Sequence, residues 1–333
     1  MAAPTMDDVA AESGMSRSLV SLVFQDSPKV SDASRERVLA AAEKLGYRPN
    51  VHARNLASTR TNTIGVLLDD LHNPFFADAL DAIEDAAFAS GFQVIHASGR
   101  RDRDRENDAI RTFLEHRVDG LILTAPRLKD AELARLAKST PTVVIARRVS
   151  APHLDVVVTD ETVAAELVVG HLVALGHTQI AHVDGGSGPG SDRRATAFKD
   201  AMRQHDLKPR VIPGDYTEQA GQRVAAELIV AKPPLPTAIY CASDIEAAGV
   251  AAAFASHGVR IPDDVSLVGY DNTALAQLSL LSLTSVEQPL AAMATTAIEL
   301  LTHRLDDPQR NAQFVELIPE LVVRNSTATP RKP

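Results

Sequence analysis

The stretch TMDDVAAESGMSRSLVSLVF, residues 5–24, predicts two short helices that are joined by a tight turn. Thr5 can cap the first helix, and Asp8, three residues later, completes a capping box. A break at Ser13, Gly14 and Met15 follows, and Ser16 can cap a second helix that runs to about Phe24. The spacing therefore predicts a helix–turn–helix pair.

A third helix is predicted to begin at Ser31 and to end before Gly46. No strand pattern interrupts residues 5–47, so the N-terminus is expected to fold as a three-helix unit of the kind that contacts DNA. The apolar residues that recur at helical spacing in the third helix are Val38, Leu39, Ala42 and Leu45.

The charge distribution permits contact between this unit and phosphates. The whole chain has a formal net charge of -9, but residues 1–60 hold eight Lys or Arg against seven Asp or Glu, and residues 29–60 hold seven against three. This mild basic footprint on an acidic protein allows DNA binding without proving it.

The bulk composition is that of a cytoplasmic protein with two or three domains in its 333 residues. The single cysteine, Cys241, excludes an intrachain disulfide framework and suits a reducing compartment. No apolar run reaches the roughly 20 residues that a membrane span needs. The first residues lack the basic start and apolar core of a secretion signal, so no membrane association is expected.

From Thr63 onward, short β-branched runs alternate with amphipathic stretches of helical length, which predicts an α/β fold with parallel sheets. This region is longer than one sheet comfortably holds, so two subdomains are expected, with ligands bound beyond the carboxyl ends of the strands. The predicted strands are 63–69, 93–98, 120–125, 142–147, 156–159, 180–185, 238–243 and 265–271. The clearest predicted helices are 75–90, 103–117, 161–176, 192–206 and 244–258.

No enzyme site and no cofactor are expected. The loop GGSGPGS, residues 185–191, has neither GxGxxG spacing nor a GKS or GKT ending, and Ser187 lacks the glycine that a nucleophile elbow needs at position 189. The eleven histidines show no HExxH spacing. A transport-type sugar-binding protein would fit residues 63–325 but would leave residues 5–60 unexplained.

Several motifs in a fixed order resemble the lactose-repressor (LacI/GalR) family of transcription factors over nearly the whole chain. They are TMDDVAAESGMSRSLVSLVF, VSDASRERVLAAAEKLGYRPN, ARNLASTRTNTIGVLLDDLHNPFF, HRVDGLIL, HLVALGHTQIAHVDG, DYTEQAGQR, IPDDVSLVGYDN and LTSVEQP. The resemblance implies a repressor that binds a pseudo-palindromic operator in double-stranded DNA as a homodimer. It also implies allosteric control by a small polar effector. The carboxylates, arginines and aromatic residue at the strand ends suit a sugar, which is the expected class.

The resemblance also implies a domain order: a helix-turn-helix domain, a hinge helix that forms on DNA, and a periplasmic-binding-protein-like core of two subdomains. The chain should cross between the subdomains near 159–162, 284–289 and 316–321. The expected boundaries are 1–48 for the DNA-binding domain, 49–62 for the hinge, 63–159 with 286–317 and 160–285 with 318–328 for the subdomains, and 329–333 for the tail. After LVVRNST only ATPRKP remains, so a dimer is expected rather than a tetramer.

The residues expected to contact DNA fall in three groups. Arg17 and Ser18, with Ser21 and Leu22 one turn later, occupy the helix that reads bases. Leu22 stands where the family usually has a long basic or polar residue. It is expected to be exposed and to cover a thymine methyl group, and the alternative is a dimer-contact or core residue with no base beneath it. By resemblance, Lys29, Ser31 and Ser34 touch phosphate, and Asn50, Ala53 and Leu56 belong to the hinge helix, with Leu56 wedged into the minor groove.

The residues expected to bind the effector lie at strand ends or in the loops after them. Arg194 and Asp271 stand out, because RATAF and GYDN match family motifs that place a ligand-contacting side chain. The sequence leaves open a pentose, hexose, disaccharide or nucleobase, and also whether the effector releases or tightens DNA binding. The full set is Asp70, Asn73, Phe75, Arg147, Asp160, Arg194, Tyr216, Ser243, Asp244 and Asp271.

Overall fold

The computed structural model describes residues 4–24, 27–47, 60–231 and 235–331. The chain divides into two compact units, residues 1–61 and residues 62–333. Across the described ranges, no helix combines the length and the apolar character that crossing a membrane requires.

The described part of the first unit consists of helices α1 (Met6–Ser13), α2 (Arg17–Phe24) and α3 (Asp32–Leu45). The predicted capping box is confirmed, since the Thr5 backbone N–H donates to the Asp8 carboxylate at 2.7 Å and the Asp8 N–H donates to Thr5 Oγ1 at 3.3 Å. Ser16 Oγ accepts from the Leu19 N–H at 3.2 Å. Local hydrogen bonds therefore set the helix starts, as the sequence predicted.

A small core of valine and alanine side chains joins the three helices. Leu39, one of the apolar residues that recur at helical spacing in the third helix, is not part of this core. Val38, Ala41 and Ala42 are buried and Leu45 is half-buried, but Leu39 is 48% exposed. Residues 38, 41, 42 and 45 form one stripe of an α-helix, and Leu39 lies about 100° around the helix from Val38. The other buried members are Val9, Val20, Val23 and Val30.

The second unit is built on two sheets, each of six described strands. The first has the order β11-β5-β4-β3-β1-β2 and the second the order β12-β10-β9-β8-β6-β7. All pairings are parallel except β10 with β12. The strands are β1 Thr63–Leu68, β2 Gln93–Ser98, β3 Gly120–Thr124, β4 Thr142–Ile145, β5 Leu154–Thr159, β6 Ile180–Val183, β7 Arg210–Ile212, β8 Ala238–Cys241, β9 Ser266–Tyr270, β10 Thr284–Glu287, β11 Phe314–Leu317 and β12 Glu320–Val322.

Helices cover both faces of each sheet. In the first lobe, defined by the first sheet, α4 and α12 cover one face and α5 and α6 the other. In the second lobe, defined by the second sheet, α7 and α8 cover one face and α9 and α10 the other. The helices are α4 Pro74–Ala89, α5 Arg103–Glu115, α6 Asp130–Ser139, α7 Glu161–Ala174, α8 Ser191–Gln204, α9 Glu218–Val230, α10 Asp244–Ser256, α11 Ala274–Gln277 and α12 Leu290–Asp306.

Within the described residues, the chain passes between the lobes three times, after Thr159, after Glu287 and after Leu317. These passages fall within the three ranges that the family resemblance implies. They start from β5, β10 and β11, which lie at or next to one edge of their sheets, whereas β2 and β7 form the opposite edges.

Candidate effector cleft and DNA-binding surface

A cleft with about 520 Å³ of space, part of it open to solvent, lies among loops that follow strands of both lobes. Six of the ten predicted effector residues line it, namely Asp70, Asn73, Phe75, Arg194, Tyr216 and Asp271.

Arg194 is held rigidly at the second-lobe side of the cleft. Its guanidinium donates to both carboxylate oxygens of Glu161, at 3.0 and 2.8 Å, and to the Ala242 carbonyl oxygen at 2.5 Å. Its Cζ lies 3.3 Å from the centre of the Tyr270 ring. A bidentate ion pair of this kind fixes the orientation of the side chain before any ligand arrives.

Asp271 is buried at the end of β9 and is connected to the first lobe. Gln288 Nε2 donates to Asp271 Oδ1 at 2.7 Å, and Gln288 Oε1 accepts from Thr159 Oγ1 at 2.7 Å. Burial raises the pKa of Asp271, and the nearby Asp244 carboxylate raises it further. A hydroxyl donor from a ligand would relieve part of this desolvation, because hydrogen bonds to a carboxylate favour its charged form.

The first-lobe side of the cleft is formed by the start of α4. The Asn73 side chain caps this helix by accepting from the Phe75 N–H at 3.1 Å, and Pro74 occupies the first turn. Phe75 and Phe76 meet edge to face with ring centres 5.1 Å apart. Asp70 Oδ1 accepts from the His72 N–H at 3.1 Å. The result is an aromatic wall with a carboxylate beside it.

The Tyr216 ring packs against the glycine-rich loop that follows β6. A Cβ atom added at Gly185 would lie 2.0 Å from the Tyr216 ring, and one at Gly188 would lie 2.6 Å from it. The tyrosine itself has φ 52°, and its hydroxyl donates to the Pro189 carbonyl oxygen at 3.4 Å. The glycines therefore make room for an aromatic side chain of the cleft.

The structure places the other four predicted effector residues outside this lining. Arg147 donates to the carbonyl oxygens of Pro126 and Leu128 and to Asp130. Asp160 and Ser243 cap α7 and α10. Asp244 is buried and accepts from Thr273 and Ser285.

Three of the polar residues that line the cleft were missed by the sequence analysis. Asp69 is paired with Arg127, whose Nε and Nη2 donate to its two carboxylate oxygens at 2.7 and 3.0 Å. Arg101 is paired with Asp215. Gln288 lies in LTSVEQP, a motif already matched to the family, so its position carried a signal, whereas Arg101 lies in no matched motif.

Two buried glutamates support the loops around the cleft. Glu246 accepts from the backbone N–H groups of Asp215 and Ala242, and burial raises its pKa to about 8. Glu106 accepts from the N–H groups of Arg127 and Leu128, and burial raises its pKa to about 7. Both carboxyl groups satisfy backbone donors of the loops around the cleft.

On the first unit, Arg17 and Ser18 are exposed at the start of α2, with the Arg17 side chain 69% exposed and 3.5 Å from Asp7. Leu22 departs from its expected exposure, because it is half-buried against the three-helix core, and Ser21 is also half-buried.

The residues expected at phosphates are also at the surface of this unit. Lys29 and Ser31 are exposed and Ser34 is half-buried. Ser31 Oγ accepts from the Ser34 N–H at 3.4 Å. The predicted hinge residues Asn50, Ala53 and Leu56 lie outside the described residues.

Comparison with known proteins decides the family. Residues 5–50 match the profile of bacterial regulatory proteins of the lacI family, and residues 169–327 match the periplasmic binding protein-like domain. The HTH-type transcriptional repressor PurR of Aliivibrio salmonicida is 31% identical over 97% of this chain and 98% of its own length. The chain belongs to the LacI family. It is therefore a DNA-binding transcriptional regulator and not an enzyme.

Two solved structures of LacI-family proteins extend the similarity. A lac repressor dimer bound to operator and the anti-inducer ONPF has a TM-score of 0.86 and 27% identity, covering 98% of this chain and all of its own. A regulator from Enterococcus faecium with bound ribose has a TM-score of 0.72 and 30% identity, covering 81% of this chain and all of its own. The predicted fold class, an N-terminal helix-turn-helix followed by a periplasmic-binding-protein-like core, is confirmed.

Proposed function

We propose that this LacI-family member is a cytoplasmic repressor that binds a pseudo-palindromic operator as a homodimer and responds to an unphosphorylated sugar in the cleft. The main observation in favour of an unphosphorylated sugar is that the arginines lining the cleft are already paired with carboxylates. The similarity to the operator-bound lac repressor dimer supports operator binding and dimer formation by this chain. The strand membership of the two sheets supports subdomains of 63–159 with 286–317 and 160–285 with 318–328.

The cations of the lining are already paired. Arg194 is bound to Glu161 and Arg101 to Asp215, so among the lining residues no arginine is left to neutralise a phosphate. A phosphorylated ligand entering this cleft would meet Asp70 and Asp271 without a matching positive charge, which is costly in a partly desolvated site.

The remaining polar groups are acceptors that suit hydroxyl donors. Gln288 occupies Oδ1 of Asp271, and within the described part of the chain Oδ2 accepts no hydrogen bond. Asp70 offers a second carboxylate, and Phe75 and Tyr216 offer ring faces. Carboxylates that bind hydroxyls beside an aromatic face suit a sugar, and the ribose-bound neighbour supports this class.

We predict that a thermal-shift screen will find stabilisation by unphosphorylated sugars. A ligand that binds only the folded state adds about 2.7 kcal/mol at 100 times its Kd. Asp271→Asn should weaken that sugar by about 10- to 100-fold, because a buried hydroxyl loses a charged acceptor worth about 1–3 kcal/mol. Asp108→Asn, on the exposed surface of α5, is the matched control and should leave the shift unchanged. Stabilisation by sugar phosphates or nucleobases alone would contradict the proposed class.

We further propose that α2 reads the operator, with Arg17 on a guanine and the exposed part of Leu22 on a thymine methyl group. Arg17→Ala should cost about 1–3 kcal/mol of operator binding and relax one guanine preference. Leu22→Ala should cost less binding and also lower folding stability, because this side chain is half-buried in the core. Lys29→Ala should reduce the slope of log K against log salt concentration by about one, the amount expected for the loss of one phosphate contact.

The measurement is selection of operators from a random library, followed by fluorescence anisotropy at several salt concentrations. Arg135→Ala is the control for Arg17, because Arg135 is an exposed arginine on α6 in the other unit. An unchanged guanine preference in Arg17→Ala would show that this arginine does not read a base. If Leu22→Ala lowers the folding stability but leaves the selected operators unchanged, Leu22 contributes only to the fold.

A further inference from the structure

The two lobes approach each other at the edge of the cleft opposite the crossings. β2 is the last strand of the first sheet and β7 the last strand of the second, whereas the three passages between lobes start from β5, β10 and β11 at the other side. The loops that follow β2 and β7 therefore lie where a hinge at the crossings would open the cleft most widely.

An ion pair joins these two loops. Arg101, three residues after β2, donates through Nη2 to Oδ1 of Asp215, which is three residues after β7. The same Nη2 donates to the Asp215 carbonyl oxygen at 3.1 Å. The side chains are 24% and 44% exposed, so solvent and salt reach this contact. Arg101 also lines the cleft, so the contact is part of the cleft wall.

Each partner is anchored in its own lobe. The Arg101 N–H donates to the Asp69 carbonyl oxygen at 3.0 Å, and the next residue, Asp102, caps α5. The Asp215 N–H donates to the buried Glu246 at 3.0 Å. Because the backbone is held on both sides, breaking the ion pair lets the lobes separate rather than only letting a loop fray.

We propose that Arg101 and Asp215 form a latch across the mouth of the cleft, which holds the lobes closed without effector and must open for effector to enter or leave. Tyr216 directly follows Asp215 and lines the cleft, so opening the latch also moves a wall of the site. The consequence for the effector rests on the proposed function, but the latch itself is a property of the chain alone.

The test measures the lobe separation in the full-length protein without any ligand. Spin labels are attached at Arg105→Cys on α5 and Gln222→Cys on α9, two exposed positions near the mouth. Cys241 is buried, so the engineered cysteines take the label selectively. Pulsed electron–electron double resonance then gives the distribution of distances between the labels for each variant.

Asp215→Asn and Arg101→Met should each shift the population toward longer distances, changing the open-to-closed ratio by about two- to five-fold, as expected for a partly exposed pair. Raising the salt concentration should open the wild type but not these variants. The reversed pair, Arg101→Asp with Asp215→Arg, should restore the closed distances. The control is Arg148→Gln, which breaks a pair with Glu316 inside the first lobe and should change nothing.

Identical distance distributions in wild type, Asp215→Asn and Arg101→Met would overturn the latch. Failure of the reversed pair to close the lobes would also overturn it, because the effect would then not depend on charge attraction. A negative sugar screen would contradict the proposed function and leave this measurement intact, so the two failures are distinguishable.

Discussion

Arg194→Gln is expected to lower the free energy of unfolding by about 3–5 kcal/mol and to abolish the effector response. Glu161 would lose both charged donors while remaining largely buried, with its side chain 14% exposed. Urea unfolding followed by circular dichroism measures the first effect, and the thermal shift with the sugar from the screen measures the second.

The double variant Arg194→Gln with Glu161→Gln separates the two effects. It removes the stranded charge, so it should recover part of the stability, while the effector response should stay lost because Arg194 is still absent from the cleft. A single Arg194→Gln variant that unfolds within about 1 kcal/mol of wild type would mean that water reaches Glu161 easily. In that case the buried pair would not hold this side of the cleft.

Arg304→Met is expected to cost about 3–5 kcal/mol of stability without changing sugar affinity in the molecules that remain folded. Arg304 and Asp155 are 2% and 0% exposed, and Nε and Nη2 donate to the two carboxylate oxygens at 2.7 and 2.9 Å. Asp155 also accepts from the Gln313 N–H at 2.7 Å. The pair therefore ties α12 and the segment before β11 to β5.

Equilibrium urea unfolding of Arg304→Met, Asp155→Asn and the double variant measures the coupling between the two side chains. The double variant should be more stable than the sum of the single losses implies, because neither buried charge is left alone. Strictly additive losses would show that the two groups act independently. Neither Arg304 nor Asp155 lines the cleft, so this pair is a stability control for the Arg194 result.

Helix starts and buried strands could be predicted from the sequence because their causes are local. The capping hydrogen bonds of Thr5, Ser16 and Ser31 reach only three residues along the chain. Strands such as β3 and β5 are buried throughout and consist mainly of apolar residues. Four short strands, β7, β10, β11 and β12, were missed, because each has only three or four residues. Strands β7, β11 and β12 are half-exposed, and β10 is largely buried but contains a single apolar residue, Val286.

The cleft could be predicted only in part, because a polar residue at a strand end has several structural uses. Asp160, Ser243 and Asp244 matched the expected position, yet their side chains cap helices or bind neighbouring loops. The contact between Arg101 and Asp215 joins residues 114 positions apart, and that between Thr159 and Gln288 joins residues 129 apart. Such pairs are set by the tertiary fold and leave no local pattern.

The three passages between the lobes also determine the order in which a growing chain can complete its fold. The first sheet lacks its edge strand β11 until residue 317 is made, and the second lacks β12 until residue 322. Until α12 emerges, the face of the first sheet that Met293, Ile298 and Leu301 cover has no partner. The nascent protein therefore exposes apolar surface and open strand edges in both lobes through most of its synthesis, a condition that favours aggregation or chaperone binding. A premature stop before residue 314 would consequently leave two unfinished lobes, rather than one complete lobe and one missing.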